Sequence, residues 1–194
     1  MKNPEDILNF WLDETGPSDW YAVDEALDQS IRDQFLSTWE AAREGKFSLW
    51  LTYPSGALAY IILTDQFPRN MFRGEGRAFS TDRAALAAAK SSIQKRWDIK
   101  IDPPARQFFY LPLMHSENLI DQDRCVRLMC ERLPESASNL LHARAHRQVI
   151  RDFGRFPYRN EALERMPTAV EQAYIAKGGY RTTLNDIEQH SKVA

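Results

Sequence analysis

Apolar positions recur at three- and four-residue steps along most of the chain, the period of helices that bury one face. Leu27, Ile31, Phe35 and Trp39 form one such stripe, which predicts a helix over 24–43 stopped by Gly45. Asn3 before Pro4 pairs a side-chain cap with a residue preset for a first helical turn. A helix with Ile7, Leu8 and Trp11 inward follows from it. A third stripe starts at Pro54, carries Leu58, Ile61, Ile62 and Asp65, and should end at Phe67-Pro68, because proline disfavours helical backbone in the residue before it. Ser80, Thr81 and Asp82 offer caps for an alanine-rich helix to about Arg96. Pro103-Pro104 opens a short helix through Phe108 and Phe109, and Pro112 opens another that passes His115 and Glu117 on its way to Leu133. Ser136 or Ser138 begins a helix that Gly154 ends, and Thr168 with Glu171 is a capping box for the last one, closed by Gly178-Gly179. Residues 180–194 read as a polar, loose tail. Only 48–53 and 106–113 hint at strands, and proline flanks both. The pattern therefore predicts an all-α single domain over 1–179, built of antiparallel helix pairs.

Composition narrows the functional classes. A chain of 194 residues with 43% hydrophobic residues can bury a core without disulfides. Its net charge of -2 is spread evenly, which argues against nucleic acid and against a membrane-surface patch as partner. The longest apolar run, 57–63, is far short of the roughly 20 residues that span a bilayer. Cys125 and Cys130, five positions apart on one helix, point to different sides and read as reduced thiols. The opening residues lack a basic flank and apolar stretch, so the expected location is the cytoplasm.

Several polar residues sit where a helix would not place them casually. Asp65 shares the inward stripe of Leu58, Ile61 and Ile62, and a buried carboxylate needs a partner. Arg69, Arg77, Arg155 and Arg159 are the candidates, either as a brace between helix ends or as the wall of a pocket. His146 lies on the face of His142, Val149, Ile150 and Phe153, the position of a core histidine or of a catalytic one. His142 and His146 have zinc-compatible spacing but no accompanying glutamate, so no metal is assigned. His115 and Glu117, read in the first turn of a helix, form a possible acid–base pair near a positive helix end, while Ser116 and Glu117 also suit simple capping. No nucleophile elbow, phosphate loop or dinucleotide fingerprint occurs, so no cofactor is expected. An echo links Asp65-Gln66-Phe67-Pro68-Arg69-Asn70 to Asp152-Phe153-Gly154-Arg155-Phe156-Pro157-Tyr158-Arg159-Asn160, each with an acid at a helix end, then Phe-Pro, then Arg-Asn, at irregular spacing.

Longer motifs carry a resemblance. Trp50, the run from Leu63 to Asn70, Arg73-Gly74, Arg77-Ala78-Phe79, Asp82, the run from Phe108 to Glu117 and the run from Phe153 to Asn160 resemble the signature segments of the bacterial domain-of-unknown-function family 924. The resemblance extends from Ile7 to about Gly179. It implies a tetratricopeptide-like, right-handed array of helix pairs and no particular activity. Three positions depart from the family pattern: Tyr158 where histidine is usual, Asn118 where aspartate is usual, and Glu164 where glycine is usual before Arg165. His146 matches the pattern and His142 does not.

The functional expectation is a site for a small anionic molecule, a carboxylate or phosphate. Asp65, Arg69, Asn70, Arg77, Arg155, Arg159 and Asn160 are its binding candidates, and His115, Glu117 and His146 its acid–base candidates. The rival expectations are a helical scaffold that binds a protein or peptide in a groove, and a purely structural network of buried ion pairs.

Overall fold

The computed structural model describes residues 1–193, with side chains through 190, and every regular element among them is helical. No described helix is long and apolar enough to cross a membrane. The chain gathers into two compact units, Met1–Pro112 and a second from Leu113 onward. The boundary falls within one short helix, where no change of composition announces it.

The first unit contains α1 (Pro4–Leu8), α2 (Glu25–Arg43), α3 (Pro54–Ile61), α4 (Phe67–Met71) and α5 (Asp82–Gln94). Asn3 and Asp6 close a reciprocal capping box on α1, and Asp24 accepts the Ala26 and Leu27 amides to start α2. An aromatic cluster fills the interior: Phe35 lies 5.0 Å from Phe10 and 4.7 Å from Phe67 between ring centroids, and Trp20 lies 4.9 Å from Phe108. Such offset and edge-on contacts add about 0.5–1.5 kcal/mol per pair beyond area burial.

The expected stop at Phe67-Pro68 does not occur. Residues 62–66 widen into a π-helical turn, and the helix continues through Pro68 as α4. Proline there removes the amide that would reach the Thr64 carbonyl. The Thr81 hydroxyl donates to that carbonyl instead, at 2.6 Å, and the Arg69 guanidinium donates to the next one, Asp65 O. Side chains thus replace the hydrogen bonds that the widened turn leaves open. In the second copy of the echo the helix does end, at Gly154 with φ +70°, and a 3₁₀ turn follows over Pro157–Arg159. The two similar sequences therefore build different backbones.

The predicted helix from Pro112 to Leu133 is also corrected. It is two helices, α6 (Leu111–Met114) and α7 (Leu119–Arg132), with His115-Ser116-Glu117 in the turn between them. Asn118 starts α7 by accepting the Ile120 amide, a role that aspartate fills equally well. The Gln122 amide nitrogen donates to the carbonyls of Met114 (2.6 Å) and Ser116 (2.7 Å). His115 consequently follows the C-terminus of α6 rather than opening a helix, and the N-terminus of α7 begins only at Leu119.

α7 turns through a short loop into α8 (Ala137–Phe153), and α9 (Ala169–Ala176) and α10 (Tyr180–Val193) complete the second unit. Val149, Ile150 and Phe156 form its core, with Phe153, Tyr174 and Tyr180 packed against them. The segment from 180, read as a loose tail, is a helix lying on α8. Tyr180 and Thr183 anchor it through hydrogen bonds to His142 and Tyr174. Cys125 is buried, Cys130 is exposed, and both are free thiols.

Glu164 has φ +52°, a left-handed backbone in which the side chain crowds the carbonyl. The Arg165 amide reaches Asn160 O at 2.8 Å and the Glu164 amide reaches Glu161 O at 3.0 Å, the paired bonds of a Schellman turn whose left-handed position favours glycine. Glu164→Gly is expected to stabilise the protein by about 0.5–1 kcal/mol, raising the melting temperature by about 1–4 °C in calorimetry. A decrease would mean that the Glu164 side chain makes an interaction worth more than the strain.

Candidate functional site

In the first unit the candidate residues are paired with one another. Asp65 is fully buried at the end of the π turn, where the Gln66 amide donates to it and the Arg69 guanidinium lies 3.3 Å away. Arg69 also grips Asp82 with two parallel hydrogen bonds, 2.9 and 3.0 Å, so one guanidinium joins the end of α3 to the start of α5. Asn70 donates to Asp28 at 2.8 Å, and Arg73 donates to the same carboxylate, tying the end of α4 to α2. Arg77 takes no part in either cluster. Its guanidinium lies over the rings of Phe72 and Trp39, at 4.1 and 5.6 Å from their centroids.

In the second unit most of the candidates converge on Phe156. Glu117 accepts the Phe156 amide at 2.8 Å and both terminal nitrogens of Arg165, at 2.7 and 3.1 Å. Arg165 in turn donates to Asn160 Oδ1 and to the Phe156 carbonyl, each at 3.0 Å. Burial pushes the Glu117 carboxyl up, but the Arg165 hydrogen bond, the Phe156 amide and the charges of Arg165 and Arg159 outweigh it, leaving it below the usual carboxylate range. A carboxylate engaged on both oxygens and held ionised is a clamp, and it is poorly suited to shuttle protons. Arg155 lies apart from this group, bidentate on Glu171 with a third bond to the Met166 carbonyl at 2.9 Å. The Arg155 hydrogen bond and the Thr168 amide hold Glu171 at about 2.

His115, His146 and Arg159 form the other side of the cluster. Arg159 is 7% exposed; its guanidinium sits 4.4 Å from the Phe156 ring centroid and donates to the His115 carbonyl at 3.1 Å. The His115 and His146 rings are 6.3 Å apart, and His146 packs edge-on to Phe156 at 5.4 Å. Burial, with the neighbouring His115 and Arg159 charges, pushes His146 down to about 3, so its imidazole is neutral.

The hydrogen bonds then fix its tautomer. His146 Nδ1 lies 2.9 Å from the His142 carbonyl, which can only accept, so Nδ1 carries the proton and Nε2 bears a lone pair. The Tyr180 hydroxyl, 2.7 Å from His142 Nδ1 and 3.1 Å from His146 Nδ1, donates to the first and accepts from the second.

Sequence reasoning missed Arg165 and Tyr180. Arg165 carried a signal, since it follows the position where the family pattern has glycine, a left-handed residue that aims its successor. Tyr180 was hidden because it begins a segment of polar composition.

Because the His146 pKa is lower folded than its ordinary 6.5, the unfolded chain binds a proton that the folded one rejects. Stability contributed by neutral His146 is present above about pH 6.5 and is lost as pH falls toward about 3. The slope approaches about 1.4 kcal/mol per pH unit. His146→Asn keeps a donor for the His142 carbonyl without a titrating ring, so its urea-unfolding free energy should lose that part of the slope. Equal slopes in the two proteins would exclude a buried neutral His146.

The comparisons with known proteins agree with this architecture. The structure of a protein of unknown function from Agrobacterium tumefaciens is similar to it with a TM-score of 0.84 and 36% sequence identity, covering 90% of this chain and 97% of that one. No curated protein matches the chain. The family model described as "Bacterial protein of unknown function (DUF924)" matches residues 7–179. With nearly its whole length inside that match, and with an organised cluster where the family's polar motifs fall, the chain belongs to this family.

Proposed function

We propose that the second unit holds a small anionic molecule beside Arg159, His115 and His146, with acid–base chemistry at the two imidazoles. The observation that carries this reading is His146. Its Nδ1 proton is committed to the His142 carbonyl, its ring is neutral, and its Nε2 accepts no hydrogen bond among the described residues. A neutral imidazole nitrogen next to a second imidazole and a buried guanidinium is the chemistry of a site that takes a carboxylate or phosphate bearing a hydroxyl or amine. The guanidinium would pair with the anion, and Nε2 would accept from the hydroxyl or amine. An anion beside Arg159 would also offset part of the positive charge that depresses His146 and so make it a better base.

The remaining charged candidates support the architectural reading. Asp65, Arg69 and Asn70 link helix ends in the first unit; Glu117, Arg155 and Asn160, with Arg165, shape the turn that presents Arg159 in the second. Antiparallel pairs such as α7 and α8 are the kind of unit from which a tetratricopeptide-like array is built, and two free thiols suit a reducing, cytoplasmic setting.

Isothermal titration of the full chain with inorganic phosphate and a panel of hydroxy- and amino-carboxylates tests the proposal. At least one compound should bind, Arg159→Ala should weaken it about 10- to 100-fold, and Arg159→Lys should recover part of the loss. Retained melting temperatures in both variants would separate lost binding from lost folding. If no compound binds, or if folded Arg159→Ala binds as tightly as the parent, the site is rejected.

A further inference from the structure

An imidazole that takes a proton at one nitrogen is restored as a base when it gives one up from the other, provided that proton has a path out. The second unit supplies such a path. Gly178 and Gly179, with φ +107° and +55°, turn the chain back after α9, and α10 then packs on α8. Tyr180, the first residue of α10, has its ring 4.8 Å from that of His146 and 6.0 Å from that of His142 between centroids. Its hydroxyl reaches Nδ1 of both, at 3.1 and 2.7 Å. A hydroxyl donates and accepts at once, so it can pass a proton between two imidazoles without moving. Anchoring α10 would need only one of the two bonds.

Two arrangements of the protons fit the same heavy-atom positions. In the first, His146 Nδ1–H donates to the Tyr180 oxygen and to the His142 carbonyl, and the Tyr180 hydroxyl donates to His142 Nδ1. In the second, each proton has moved one place along the chain. His142 Nδ1–H then donates to Tyr180, and Tyr180 donates to His146 Nδ1. This sets the His146 lone pair against the His142 carbonyl, 2.9 Å away, so the first arrangement is the resting one. His115 from the turn before α7 and Arg159 from the 3₁₀ turn face the His146 ring, and Tyr158 faces the Tyr180 ring. His146 Nδ1 and the Tyr180 hydroxyl nevertheless have no further hydrogen-bond partner among the described residues.

We propose that Tyr180 and His142 form a proton relay from His146 to solvent, which serves the base assigned above and rests on that reading. The hydroxyl or amine of the ligand gives its proton to His146 Nε2. The N–H bond at His146 Nδ1 then breaks as its proton joins the Tyr180 oxygen, and the Tyr180 O–H bond breaks as its proton joins His142 Nδ1. His142 releases the proton on its own Nε2 to water, a step favoured by its partial exposure and by the burial that lowers its pKa. All three side chains end neutral, and water has gained the one proton that the ligand lost. The strained second arrangement favours the return, in which His146 gives its Nε2 proton to the product and His142 recovers one from water. Neither Tyr180 nor His142 touches the ligand; both act through His146.

NMR of the full chain labelled with ¹⁵N-histidine, with no ligand added, tests the relay through the solvent exchange of the His146 Nδ1 proton. Ring-nitrogen shifts should show a protonated Nδ1 and bare Nε2 in His146, and the reverse in His142. Tyr180→Phe keeps the ring and removes the path; His142→Asn removes its far end and keeps the backbone carbonyl that holds His146. In both variants the His146 Nδ1 proton should exchange at least about tenfold more slowly than in the parent. A hydroxyl that merely braces the ring predicts the opposite sign, because losing a hydrogen bond speeds exchange. A resonance broadened in the parent and sharp in the variants is the same expected result. Exchange that is equal or faster in the variants, at unchanged melting temperature, overturns the proposal, and so does a protonated Nδ1 on His142 in the parent. A failed titration with phosphate and carboxylates rejects the anion site instead, since this measurement uses no anion.

Discussion

A carboxylate partly withdrawn from water inside a helical protein must find donors there, and Glu117 is where the second unit meets that requirement. Oε1 takes the Phe156 amide and one Arg165 nitrogen, and Oε2 takes the other; Arg165 also holds the Asn160 side chain and the Phe156 carbonyl. This single ionic knot fixes the chain from Gly154 to Arg165, a stretch with little regular structure of its own. Arg159, presented from that stretch beside Phe156, owes its place to it. So does the orientation of the Asn160 amide.

The same physics recurs in the first unit with different parts. Asp65 and Asp28 are buried carboxylates, and each collects a guanidinium together with an amide: Arg69 and Gln66 in one case, Arg73 and Asn70 in the other. In both places the ion pair replaces what the backbone cannot supply. Around Pro68 the helix is short of one amide, and side chains from Thr81 and Arg69 fill the gap. Polar motifs that look catalytic in sequence are here the means by which helix ends are fastened. Removing one member would strand its partner in a medium that cannot solvate it.

Histidines 142 and 146 illustrate how burial selects a function class. Burial lowers the pKa of both and holds His146 neutral, and the Tyr180 hydroxyl bridges their Nδ1 atoms. The i, i+4 spacing that suggests zinc places both Nδ1 atoms on one tyrosine hydroxyl. What distinguishes His146 from an ordinary core histidine is that only one of its two nitrogens is satisfied. The neighbouring His115 ring and Arg159 guanidinium give that nitrogen a chemical context.

Hydrophobic periodicity and capping residues were enough to determine the all-helical class, the starts of α1, α2 and α9 and the end of α8, because these depend on side chains within a few positions of one another. They also determined that Asp65 is buried. Local rules failed where a distant group substituted for a local one. Thr81 lets a helix run through Pro68, Gln122 helps to break the helix expected past His115, and Tyr180 makes a helix of a polar tail. Which arginine meets which carboxylate was likewise beyond the sequence, since Arg69, Arg155, Arg159 and Arg165 carry the same chemistry. Only the tertiary structure brings a particular pair within hydrogen-bonding distance, and at that range a choice among equal partners becomes an energy difference.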